Sequence, residues 1–135
     1  MNYELEEELI RAWIKITSII KNNRIFEDIS YNEAIILNLV YQKFKNGDGI
    51  YVQDIIKYTK MLKSLVNRTL NSLLEKGFIN KVQDKNKLIV YFNEVKKSDY
   101  LKIHEHTLEY MHPIVEKIGK EDIIEFIRIV NKIEE

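Results

Sequence analysis

Between Lys60 and Asn71 the chain reads KMLKSLVNRTLN, and its polar side chains recur at helical steps. Lys63, Asn67 and Asn71 are spaced by four, with Ser64 beside them and Arg68 toward the edge of the same face. Amide, hydroxyl and guanidinium groups in this pattern are suited to reading base edges in a major groove. An asparagine offers a donor and an acceptor to adenine, and an arginine reaches guanine or a phosphate. Lys60, Lys63 and Ser64 stand near the helix start, where side chains and backbone N–H groups commonly hold phosphate. The plainer alternative is a polar face turned to water.

Charge favours the first reading. The chain balances 21 Lys/Arg against 21 Asp/Glu, but unevenly. Residues 1–54 carry six basic and nine acidic groups, residues 55–90 eight and two, and residues 91–135 seven and ten. A basic centre between acidic flanks is the footprint expected for a polyanion partner.

Other chemistries find less support. Cysteine is absent, which removes disulfides, thiol nucleophiles and thiolate metal sites. The three histidines, His104, His106 and His112, share one predicted helix with Glu105 and Glu109. None forms the i,i+4 histidine pair usual for zinc on a helix, so they read as surface or interdomain residues and no metal is expected. No Gly-rich phosphate loop or nucleophile elbow is present; no catalytic residue, enzyme activity or cofactor is expected.

The elements that must position these residues follow from periodicity. At 135 residues the chain is one domain's worth, and its 45% hydrophobic and 31% charged composition is that of a soluble globular protein. Scarce Gly and Pro point to a mainly α fold. No apolar run approaches the ~20 residues needed to span a bilayer. The acidic, amphipathic start MNYELEEELI is unlike a secretory signal, so no membrane association is expected and a cytoplasmic location is. Leu5, Leu9, Ala12, Trp13, Ile16 and Ile20 predict a helix over ~3–21, which KNNR interrupts. Ser30 and Glu33 can form a capping box for a second helix, with Ala34, Leu37, Tyr41 and Phe44 inward, ending in the turn NGDG at 46–49. A short third helix, YVQDIIKYT, turns Ile55 and Ile56 inward.

For the fourth helix Leu62, Leu65, Val66, Leu70, Leu73 and Leu74 form the predicted core stripe, with Gly77 just past its end. FINKV and KLIVYF then bracket QDKNK as a hairpin with a polar tip, bearing Lys81, Lys85 and Lys87. Ser98 or Asp99 can cap a fifth helix to ~Ile118, with a kink or break at Pro113. Gly119 separates a last helix lined by Ile123, Ile127 and Val130. A helix-turn-helix followed at once by a basic β-ribbon is a winged helix.

In that order, LKSLVNRTLNSLLEKGFINK resembles the recognition helix and following strand of the MarR family of transcriptional regulators, and the resemblance spans nearly the whole chain. Asn67–Arg68 match the family's small polar residue followed by a polar or basic one; EKGFI mirrors its helix ending. The resemblance implies a single domain over 1–135, with a winged-helix DNA-binding lobe at 30–95 and a two-stranded wing. It also implies helices at 1–22 and 98–135 that intertwine into a homodimer. Its function would be sequence-specific binding of double-stranded DNA as a repressor, released by a small aromatic or lipophilic effector. Trp13, Tyr31, Tyr110 and Met111, with Tyr3, Phe26 and Tyr100, are candidates for lining the effector cavity, though core packing explains them equally. The family's wing tip carries Asp-x-Arg, with the Arg entering the minor groove; here the series is Asp84, Lys85, Asn86, flanked by Lys87. A lysine lacks the planar fork of arginine. The alternative is therefore a winged-helix protein-interaction module without strong duplex binding.

Overall fold

The computed structural model describes residues 1–22, 26 and 28–134; part of the interruption read at KNNR, Asn23 and Arg24, lies outside them. The chain runs through α1 (Glu4–Asn22), α2 (Tyr31–Lys45), β1 (Ile50–Tyr51), α3 (Val52–Thr59), α4 (Lys63–Glu75), β2 (Ile79–Asp84), β3 (Lys87–Phe92), a 3-10 turn (Glu94–Lys96), α5 (Lys97–Ile118) and α6 (Lys120–Ile133). It is the mainly helical, winged architecture that the residue pattern predicts, with one added strand.

The helix ends are set by local chemistry. Ser30 Oγ accepts from the Glu33 N–H at 3.1 Å while Glu33 Oε1 accepts from the Ser30 N–H at 2.7 Å, the reciprocal cap that starts α2. Gly77, at φ 83°, turns the chain out of α4 into β2 through a left-handed residue. α5 begins differently from expectation. Asn93 caps a 3-10 turn by accepting from the Val95 N–H, and α5 grows from it at Lys97, so Ser98 and Asp99 sit inside its first turn. There Asp99 accepts from Lys96 Nζ at 3.3 Å and complements the helix dipole. Pro113 does not break α5. It is exposed, so water can reach the Glu109 carbonyl that its ring leaves without an N–H partner.

The sheet has three strands in the order β1-β3-β2, all antiparallel, where the hairpin alone was predicted. β1 is only two residues long, too short to leave an alternation signal, and pairs Ile50 with Val90 and Tyr51 with Ile89. Gly49, read as part of a turn, instead allows the chain to approach β3: a Cβ there would lie 2.6 Å from Ile89 Cγ2.

The core is Ile36, Leu37 and Val40 of α2, Ile55 of α3, Val66, Leu70 and Leu73 of α4, and Ile79 and Val90 of the sheet, all essentially inaccessible. Ile36 and Val40 were not among the predicted inward residues, while Phe44 and Ile56 are only half-buried. At one end, Tyr41, Phe92 and Tyr100 join α2, β3 and α5. Tyr41 meets Tyr100 edge-on with centroids 4.3 Å apart, and Phe92 at 5.1 Å.

Glu33 does more than cap. It is 4% exposed, and its carboxylate also accepts from Ser72 Oγ at 2.7 Å and Lys76 Nζ at 2.8 Å, tying the start of α2 to the end of α4. Burial is the largest influence on this carboxyl and alone would raise its pKa. Donation from Lys76, the Ser30 N–H and Ser72, with the charge of Lys76, outweighs it and holds the group below its ordinary 4.5. A depressed carboxyl contributes stability that is fully present above the unfolded-state value and is lost as pH falls through the folded-state value. Glu33→Gln should therefore destabilise the fold by about 1–3 kcal/mol in urea at neutral pH. The gap from wild type should narrow as pH falls below 4.5. A gap that stays constant with pH would remove the carboxylate from this role.

Candidate nucleic-acid interface

α4 is oriented by what it buries. Val66, Leu70 and Leu73 are at 0% exposure and Thr69 turns its hydroxyl back onto the Leu65 carbonyl at 2.7 Å, which leaves one side of the helix for solvent. Lys63, Ser64, Asn67, Arg68 and Asn71 are all exposed there. Three residues of the predicted core stripe are not in the core: Leu65 is only half-buried, and Leu62 and Leu74 are exposed. Leu62 is the N-cap residue, outside the helical repeat, and Leu74 lies close to Asn67 in angle around the helix.

The turn before α4 is fixed by Thr59, whose hydroxyl donates to the Ile55 carbonyl at 2.7 Å and accepts from the Met61 N–H at 3.2 Å. Lys60 ends α3 in the left-handed region at φ 57°, and its N–H donates to the Ile56 carbonyl. This places Lys60 and Lys63 on either side of the entry to the exposed face.

The hairpin is longer, and its tip tighter, than the sequence suggests. Gln83 pairs with Leu88 and Asp84 with Lys87, so only Lys85 and Asn86 form the tip. Lys85 is left-handed at φ 56°, and Gln83 Nε2 donates to its carbonyl at 2.8 Å. Beyond strand pairing and core packing, side chains of the ribbon reach α4 and β1. Lys81 Nζ donates to Asn71 Oδ1 at 3.0 Å, joining the wing to the exposed face of α4. Tyr51 OH donates to Asp84 Oδ2 at 3.5 Å, and Lys87 Nζ stands 5.3 Å from the Tyr51 ring centre. Asn86 occupies the exposed tip with Lys85. Lys60, Lys63, Ser64, Asn67, Arg68 and Asn71 are thus exposed along the turn and helix, Lys85, Asn86 and Lys87 are exposed on the wing, and half-buried Lys81 joins the two through Asn71. Tyr51 was missed; a tyrosine two residues past a turn glycine gives no sign of a partner 33 positions on.

The candidate cavity residues are brought together only in part within the chain. Tyr31, with Ile20, Phe26 and Ile29, lines a cleft of about 400 Å³ at the α1–α2 junction. Tyr100, Phe26 and His104 border a smaller space of about 50 Å³. Trp13, Tyr110 and Met111 line neither; Trp13 is 56% exposed on α1. Of the histidines, His112 pairs with Glu116 at 3.4 Å and His104 packs beside Tyr100. Among the described residues no three His, Asp or Glu side chains are grouped to hold a metal ion. No helix is long and apolar enough to cross a membrane.

No protein-family model matches the chain, and no curated protein matches it. Solved structures do. A MarR-family transcriptional regulator from Rhodococcus sp. RHA1 has a TM-score of 0.83 at 9% identity, covering 98% of this chain and 96% of that one. The PcaV transcriptional regulator of Streptomyces coelicolor, in complex with its natural ligand, gives 0.76 at 10% identity over 99% and 95%. BpsR of Bordetella bronchiseptica, whose DNA binding is regulated by 6-hydroxynicotinic acid, gives 0.71 at 10% identity over 99% and 96%. The chain has the fold of MarR-family regulators from end to end.

Arg68 is exposed, so Arg68→Ala should leave thermal stability within about 0.5 kcal/mol of wild type. Affinity for duplex DNA, followed by gel retardation, should fall by roughly 10-fold or more. Unchanged affinity would move the recognition surface elsewhere.

Proposed function

We propose that this chain is a sequence-specific regulator of transcription of the MarR type, binding double-stranded DNA as a homodimer. The observation that carries the reading is the outward face of α4, where Ser64, Asn67, Arg68 and Asn71 stand exposed on a helix anchored by its buried aliphatics. An α-helix fits the major groove, and amide and guanidinium groups there can distinguish base pairs. Lys60, Lys63, Lys81, Lys85 and Lys87 would hold the flanking phosphates, with the wing bearing on the backbone by charge. Asn86 at its tip can donate a hydrogen bond in the minor groove but brings no charge there.

The homodimer rests on the terminal helices. Among the described residues α1 has no extensive packing partner in its own chain. Leu5, Leu9, Trp13 and Ile16 are exposed along it, as are Phe126, Ile127 and Val130 along α6. So much apolar surface on two helices is a mark of association. Two lobes related by a twofold axis would read a pseudo-palindrome with half-sites about one helical turn apart. Repression is the mode proposed, by occupation of a site that overlaps the promoter. Release by a small aromatic or lipophilic effector is supported by the ligand-bound Streptomyces relative and the Bordetella protein controlled by 6-hydroxynicotinic acid. Tyr31 and the cleft it lines mark one wall of such a site; Trp13, Tyr110 and Met111 would join it only across the dimer.

Sedimentation should give twice the 16.2 kDa chain mass, and Leu9→Asp should reduce it to one. The logarithm of DNA affinity should fall linearly with the logarithm of salt concentration, with a slope of several phosphate contacts. A protein-interaction module would show essentially no such slope.

A further inference from the structure

The turn between α3 and α4 contains two residue choices that the lobe's own stability does not explain. Leu62 occupies the N-cap of α4, where Ser, Thr, Asn or Asp would accept from the first free N–H groups; no side-chain hydrogen bond caps this helix. Nor does Leu62 gain from burial, being 75% exposed, while Tyr58 one turn earlier is 67% exposed. The second choice is Lys60, a left-handed residue at φ 57° where glycine is the unstrained choice. Met61 turns inward against the core, and Thr59 pins the turn through its two hydrogen bonds, so the exposure of Leu62 is built in.

Its surroundings indicate what covers it. From Ile55 to Leu74 the chain has no Asp or Glu, while Lys57, Lys60, Lys63 and Arg68 all fall within it. Asp54 and Glu134 border the cleft beside Tyr58, where Lys43, Lys57 and Lys60 outnumber them. An apolar side chain in such a net cationic setting complements a surface that is apolar at one point and anionic around it. In a DNA major groove that point is the thymine C5-methyl, bordered by phosphates. We infer that Leu62 is a specificity-determining residue that packs on a thymine methyl at the edge of each half-site, with Lys60 and Lys63 on the adjoining phosphates. This rests on the duplex-binding reading and adds to it a base preference that the amides of α4 do not supply.

The test starts from duplexes enriched by the full-length protein from a random library. Each thymine of the enriched half-site is then replaced by deoxyuridine, which removes only the methyl. Wild-type affinity should fall about fourfold per half-site at one thymine, the ratio equivalent to ~0.8 kcal/mol of buried methyl. Leu62→Ser should still bind, more weakly, and be indifferent to that replacement. Because serine caps the helix, the variant should also melt a few degrees higher, which separates loss of contact from loss of fold. A Leu62→Ser protein that keeps the wild-type methyl response overturns the assignment, and so does one whose only change is in oligomeric mass. Failure of the wild type to enrich any duplex would instead overturn the regulator reading, and this inference with it.

Discussion

The rotational setting of α4 is the constraint on which the rest depends. Val66, Leu70 and Leu73 are fully buried against α2 and the sheet. Each contributes on the order of 1.5–3 kcal/mol relative to exposure. Turning the helix by a third of a revolution would bring these residues to water and carry Asn67 and Arg68 into a core without partners for them. Both terms oppose rotation. Glu33 adds a second point of attachment at the far end of the helix, through Ser72 and Lys76. The helix is therefore held along its length by apolar packing and at its C-terminal end by a buried carboxylate. Its polar face projects outward as a consequence.

The same logic connects the lobe to the terminal helices. Tyr100 near the start of α5 packs edge-on against Tyr41 of α2, and its hydroxyl lies 3.5 Å from Asn38 Nδ2. Burial raises the pKa of this phenol, against the lowering effect of the Asn38 hydrogen bond. α5 thus enters the lobe through a packed aromatic junction, while farther along its apolar residues Leu108, Met111 and Val115 are exposed. In the proposed dimer, a ligand in the cleft lined by Tyr31, which shares Phe26 and Ile29 with the space beside Tyr100, would alter the angle of α5 to the lobe and hence the spacing of the two α4 helices. Differential contact of the ligand with the two spacings is what such release requires.

Residues whose role is local were legible before any coordinates. The Ser30–Glu33 box, the glycine after α4 and the outward polar face each follow from spacing over a few positions. Residues whose role depends on distant partners were not. Glu33 reads as a capping residue, and nothing nearby announces that Ser72 and Lys76 will converge on it. The pairing of β1 is invisible in two residues; it depends on Gly49 being able to approach Ile89 and Tyr91. Leu62 and Leu74 fit the leucine spacing of a core stripe, yet spacing alone does not tell a cap residue or an outward position from a buried one. One lies at the cap and the other on the outward side. The exposure of the α4 polar face and of the wing tip follows from the residue pattern, but the links between them, Lys81 to Asn71 and Tyr51 to Asp84, involve partners that nothing local announces.

In the proposed complex the exposed side of α4 lies in a major groove. Methylation interference at guanine N7 tests it directly, because that atom faces only the major groove. The account predicts that methylating guanines within two patches about one helical turn apart abolishes binding by wild type. The Arg68→Ala protein should lose that sensitivity at one guanine of each patch. Binding that tolerates N7 methylation throughout the protected duplex would contradict it.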